Sequence, residues 1–220
     1  MTEQLDKRAD TTRLQILRAA SRQFARKSYS LVSLDDILAD AEVTKGAMYF
    51  HFRSKYALAS AIIEYRAAVA RASVDQLLAR KLSGLETMID ISFLIAIEDM
   101  DDETARAGLN LLGSIGRTDG LQADILAQWM TAFAAVARKA VKDGDIISDR
   151  DPEGIAGLLV SMYLGLRQTS NVAEPERFLR ALENMWALVL PGFVKHDRID
   201  YLNQFIKRRT AVALKNAAPF

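Results

Sequence analysis

The chain has 220 residues, half of them apolar, a net charge of +1 and no cysteine. This length suits one large domain or two small ones, and the lack of cysteine excludes disulfides and thiolate metal sites. No run approaches the roughly 18 apolar residues of a membrane span, and residues 1–10 lack the apolar core of a signal peptide, so a cytoplasmic protein is expected. Residues 1–66 carry 11 basic and 8 acidic side chains, and residues 67–220 carry 18 and 20. The first part is therefore net +3 and the remainder net −2. A basic head on a slightly acidic body fits nucleic-acid contact confined to the head, although so small an excess does not identify it.

Residues 1–10 are polar and read as a loose arm. Lys7, Arg8 and Arg13 near it can reach phosphates or a minor groove, or can be solvated, the better reading for Lys7. A first helix is expected from Thr11 to Lys27, with Leu14, Leu17, Ala20, Ser21 and Phe24 on one face. Ser28 to Ser30 breaks it. Ser33 then caps a short helix, with Asp36 in the capping-box position and Leu34, Ile37, Leu38 and Ala41 on one face. Glu42-Val43-Thr44 is a turn, with Val43 plugging the interhelical angle and Thr44 capping a second helix at 45–50. That helix carries Lys45, Gly46, Tyr49 and His51 at its edge, the shape of a helix-turn-helix whose second helix enters the major groove. Lys45 offers a cation and Gly46 a close backbone approach. Tyr49 and His51 offer phosphate contacts, and Lys55 follows Ser54, the cap of the next helix. On pattern alone, a helical hairpin with a solvated Lys and Tyr stays open.

A long helix is expected from Lys55 to Leu82, ended by Ser83-Gly84. Residues 85–97 are apolar almost all round and read as buried. Glu98 to Glu103 reads as an acidic loop of solvated charge, without the ligand order of a calcium loop. A short helix follows at 104–115, and a further helix at 121–141. Asp151-Pro152 is a helix start, a cap followed by proline, and leads a helix to Ser170. Two more are expected at 176–190 and 198–217. The total is about ten helices and no strands, an all-α chain.

The segment V-T-K-G-A-M-Y-F-H-F-R-S-K, with A-A-S-R-Q-F-A and S-L-D-D-I-L-A-D-A before it, resembles the DNA-binding domain of the TetR family of transcriptional repressors. The likeness runs without a gap from Arg13 to Ile63. It implies an all-α fold with a helix-turn-helix DNA-binding domain over 1–66 and a helical ligand-sensing and dimerisation domain over 67–220. It also implies DNA contacts by Ser33, Thr44, Lys45, Gly46, Tyr49, His51 and Lys55, with Phe50 and Phe52 mainly as packing residues. The partners it implies are a palindromic double-stranded operator, a small apolar ligand and a second copy of the chain, paired through the late helices. Two positions depart from the family pattern, Ser28 and Glu42, where the family usually has Gly. A non-glycine residue at positive φ costs about 1 kcal/mol, so strain is expected at both turns.

Further segments resemble the γ-butyrolactone-receptor branch of that family: R-A-G-L at Arg106–Leu109, A-Q-W at Ala127–Trp129 and M-W at Met185–Trp186. In that branch a tryptophan of this helix lines the ligand pocket. The resemblance implies a pocket at Trp129, with Phe133, Met88, Phe93 and Met162 as soft and aromatic lining; on composition alone most of these are ordinary core. An enzyme is disfavoured. The two histidines, His51 and His196, are far apart, and no phosphate loop, nucleophile elbow, metal spacing or cofactor motif occurs. A DNA-binding regulator controlled by a protein partner, without a small ligand, remains the alternative.

Overall fold

A computed structural model describes residues 2–117 and 120–217, with side chains from residue 11 onward. Among the described residues the chain forms ten α-helices: α1 (Thr2–Arg26), α2 (Leu34–Ala41), α3 (Lys45–His51), α4 (Lys55–Leu78), α5 (Gly84–Asp101), α6 (Glu103–Ser114), α7 (Leu121–Asp143), α8 (Pro152–Thr169), α9 (Pro175–Val189) and α10 (His196–Ala217). Single 3₁₀ turns lie at Tyr29–Leu31 and Leu190–Gly192. The sole extended pairing among the described residues is an isolated bridge between Ile146 and Val194.

Two expectations fail at helix ends. The arm is not loose, because α1 runs back to Thr2; no Gly or Pro interrupts residues 2–26, and Glu, Gln, Leu, Lys, Arg and Ala all support a helix. The side chains of Lys7 and Arg8 lie outside the described residues, and the Arg13 guanidinium sits 5.2 Å from the Phe52 ring centre. The acidic stretch 98–103 is not a solvated loop either. α5 continues to Asp101 and only Asp102 separates it from α6. Asp102 caps α6, accepting from Thr104 N–H at 2.7 Å, Glu103 pairs with Arg26 at 2.7 Å, and Asp99 is fully buried.

The chain divides into two compact units. The first comprises Met1–Arg71 and Asp102–Ala123, so α6 belongs with the N-terminal helices despite its place in the sequence. Its core is Ile16, Leu17, Ala20, Phe24, Ile37, Met48, Leu58 and Ile62, none more than 1% exposed. α6 lies on α1, and the Asn110 amide donates to the Phe24 and Ala25 carbonyls at 3.0 and 3.3 Å. Gly108 is needed there, since a Cβ would meet the Arg66 side chain at 2.9 Å.

The second unit comprises Ala72–Asp101 and Asp124–Phe220. Its interior holds Leu85, Met88, Ile89, Phe178, Leu182, Trp186 and Leu202, all 0% exposed. Gly84 does not simply stop a helix; it opens α5, where a Cβ would stand 2.3 Å from the backbone nitrogen of Ala140. Ser83 and Glu86 cap α5 reciprocally: Ser83 N–H donates to Glu86 Oε2 at 2.8 Å, and Glu86 N–H to Ser83 Oγ at 3.3 Å.

Candidate nucleic-acid interface

Three successive helices of the first unit begin on a hydroxyl cap. Ser33 Oγ accepts from Asp36 N–H at 3.0 Å, Thr44 Oγ1 from Ala47 N–H at 3.2 Å, and Ser54 Oγ from Ala57 N–H at 3.0 Å. Each cap satisfies one of the donors a helix start leaves unpaired, and stabilises by about 1 kcal/mol. The turn between α2 and α3 is closed by Glu42, at φ 52° and ψ 38°. Its N–H donates to the Ala39 carbonyl, and Val43 N–H donates to the Leu38 carbonyl. Glu42 is the one non-glycine residue at positive φ among the described residues, so the strain expected there is present. At Ser28 it is absent: φ is −62°, ordinary extended backbone that serine adopts freely.

α2 is fastened to α1. The Arg22 Nη2 and Nε donate to Asp40 at 2.9 and 3.1 Å, and the Gln15 amide donates to the Ala41 carbonyl at 2.7 Å. The Arg22 hydrogen bond holds the Asp40 carboxyl below its usual range.

α3 is sorted by face. Met48 is fully buried and Phe52, just past its end, is 4% exposed, while Val43 and His51 are half-buried. Lys45 and Gly46 are exposed, and Tyr49 is 43% exposed. A Cβ added at Gly46 would find its nearest neighbour at 3.9 Å, Thr44 Oγ1, so nothing inside the fold requires glycine there. Lys55 is half-buried, with its ammonium 4.3 Å above the Tyr29 ring; Tyr29 in turn stacks on Phe24 at 5.8 Å. Burial lowers the Lys55 pKa and raises that of Tyr29. Phe50 departs from its expected packing role: it is 80% exposed. Helical spacing carries the signal for this, because Phe50 follows the exposed Gly46 by one turn.

The expected effector-binding residues all lie in the second unit. Met88, Phe93 and Met162 are 0%, 3% and 7% exposed, and Trp129 and Phe133 are half-buried, one turn apart on α7. A cleft of about 380 Å³ lies instead at α8 and α9, lined by Ile155, Leu158, Leu188 and Phe193 among others, and includes none of the five. Composition gave no sign of a buried polar cluster in the second unit. Arg167 donates to both oxygens of the buried Asp99 at 2.6 and 3.0 Å. Tyr163, one turn before Arg167, has its hydroxyl pKa raised well above the usual value by burial and by the charge of Asp99.

Among the described residues no group of His, Asp or Glu is arranged to hold a metal ion, and no helix is long and apolar enough to cross a membrane. What the first unit does offer is a short, capped helix with an open glycine and a lysine on its outer face, the architecture of a helix-turn-helix DNA-binding regulator. Residues 16–62 match the family described as bacterial regulatory proteins, tetR family. Residues 82–195, more than half of the chain, match the tetracyclin repressor-like C-terminal domain. The chain belongs to the TetR family of transcriptional regulators; it is a regulator and not an enzyme. It is 29% identical over 186 residues to the A-factor receptor protein of Streptomyces griseus, covering 84% of this chain but only 64% of that protein, less than two thirds. It superposes on a γ-butyrolactone receptor (ArpA-like protein) with a TM-score of 0.80 and 31% identity, covering 93% of this chain and 98% of that one. CprB of Streptomyces coelicolor, in complex with its biological operator sequence, superposes with a TM-score of 0.76 and 31% identity, over 91% and 97% of the two chains.

Proposed function

We propose that this protein is a ligand-released repressor that reads a near-palindromic operator as a homodimer in the cytoplasm. The observation that carries this reading is the likeness to γ-butyrolactone receptors along nearly the whole chain, which reaches both the DNA head and the body. In this reading α3 enters the major groove. Lys45 meets a phosphate or a guanine edge, and Gly46 brings its backbone close. Ser33, Thr44, Tyr49, His51 and Lys55 hold phosphates.

A two-fold dimer places two such heads about 34 Å apart, one turn of DNA. The outer face of α8 suits the pairing: Leu158 is 45% exposed, and a Cβ at Gly157 or Gly165 would meet nothing within 4 Å, so a second copy's helix can approach closely. Leu188 on α9 is 80% exposed. The effector is a small apolar molecule resembling a γ-butyrolactone, held by Trp129, Phe133, Met88, Phe93 and Met162. It binds better to a state in which α4 is tilted and the heads are out of register. Such coupling is typically about 1–3 kcal/mol, and the effector shifts the balance only by its differential affinity.

The burial of Met88, Phe93 and Met162 favours a second reading, in which these side chains are plain core and a protein partner controls release. Selection of genomic fragments at physiological salt, with and without an organic extract of the culture, separates the two. Extract-induced release of a palindromic fragment supports a small effector. Retention regardless of extract supports a protein partner. Failure to retain any specific fragment refutes both.

A further inference from the structure

On the DNA-binding reading above, we infer that Phe50 is a specificity-determining residue that reads the 5-methyl group of a thymine in each half-site. Eight phenylalanines are described; seven are buried or half-buried, and Phe50 alone is 80% exposed. It is not stranded on an indifferent surface. At about 100° per residue, Lys45, Tyr49, Gly46 and Phe50 fall in that order within an arc of about 140° on α3, and these four are its exposed residues. Met48, which lies outside that arc, is the residue of α3 that enters the core. Phe50 therefore shares the outward face with the open Gly46, one turn before it.

Its ring meets His51 edge-on, with centroids 5.0 Å apart and planes at 86°, which limits the ring's orientations. The surroundings suit a polyanion: Lys45 and Arg53 are exposed on either side. A benzyl group can donate to neither a phosphate nor a base edge. In the major groove the apolar feature open to it is the thymine methyl, present on no other base. Phe50 would thus supply sequence information, while Tyr49 and His51 on either side of it hold the backbone.

The test needs no effector. A consensus half-site is first selected from random duplex DNA with the full-length protein, and each thymine in it is then replaced by uracil, which removes only the methyl. One thymine per half-site should be sensitive, with affinity falling about fourfold, as expected for losing burial of one methyl-sized group. Phe50→Ala should bind the thymine and uracil duplexes equally, at the wild type's uracil level. Phe50→Leu should keep part of the preference, and both variants should melt as the wild type does, because the ring is exposed. The inference is overturned if Phe50→Ala preserves the thymine-to-uracil ratio, if no thymine is sensitive, or if Phe50→Ala leaves affinity unchanged. Failure of the wild type to select any sequence overturns the DNA-binding reading as well, a distinct result.

Discussion

Substituting Gly46→Ala separates folding from DNA binding. The added Cβ would have 3.9 Å to its nearest neighbour, Thr44 Oγ1, an ordinary van der Waals distance, and the backbone there is helical. Alanine is the better helix former by about 0.8–1.0 kcal/mol in a helix interior. Gly46 sits near the start of a short helix, so the gain should be smaller, and the melting temperature should hold or rise slightly. Operator affinity should move the other way. If the α3 backbone lies against the groove floor at Gly46, a methyl there holds the helix off and weakens the contacts of Lys45 and Tyr49 together. A tenfold loss corresponds to about 1.4 kcal/mol, and at least that is expected. Thermal unfolding followed by circular dichroism, beside anisotropy titration of a selected duplex, measures both quantities on one preparation. A folded variant with unchanged affinity would mean that the outer face of α3 does not meet DNA. A variant that fails to fold would refute the argument that the site is open.

Other substitutions test neighbouring parts of the reasoning. Glu42→Gly should stabilise by about 1 kcal/mol by relieving the positive φ, and should raise operator affinity by removing an exposed carboxylate beside α3; lower stability on chemical denaturation would count against the strain. Lys45→Ala should reduce the slope of log affinity against log salt by about one per head, and an unchanged slope would remove Lys45 from the phosphate contacts. Gly84→Ala should destabilise by about 2–3 kcal/mol through overpacking against Ala140, readable as a lower denaturation midpoint. The depressed pKa of Asp40 means that its contribution is present at neutral pH and is lost as the pH falls below the ordinary carboxylate range, about 3.9. Arg22→Gln should therefore move the acid-unfolding midpoint to higher pH; no movement would show that this pair does not stabilise the fold.

The parts legible in the sequence are those governed by chemistry within one turn. Ser33, Thr44, Ser54 and Asp151 cap the helices they were expected to cap, because a cap joins residues two or three apart and needs nothing else from the fold. The turn at Glu42 was readable for the same reason. Ser28 was not, since the same replacement of a family glycine can fall on a backbone that any residue adopts, and only φ tells the two cases apart. Asp99 was illegible because its partner lies 68 residues away; locally it is one acid among several. Phe50 and Phe52 differ through helix termination. Phe50 is still in α3 and keeps to its outward face, whereas Phe52 is the residue after it, at φ −136°, and the changed backbone direction turns its ring into the core.

α10 shows how far the body depends on such distant pairings. It lies beyond residues 82–195, the stretch matched to the C-terminal domain, yet it is tied into the second unit at three points. Arg198 donates to the buried Asp145 at 2.8 Å, Arg209 donates to the buried Asp90 at 2.7 Å, and Tyr201 hydrogen-bonds Glu86. Burial pushes the Asp90 pKa up, against the pull of Arg209, so desolvation outweighs attraction at that pair. A pair of this kind adds little net stability, while losing the arginine would leave a carboxylate buried without its partner. Its effect is to penalise every arrangement except one. Sliding α10 by a turn along α5 would separate both arginines from their carboxylates at once, where an apolar seam would tolerate the shift. The pairs would thus penalise a shifted register of α10, while Leu202, Phe205 and Ile206 bury its apolar face in the native one.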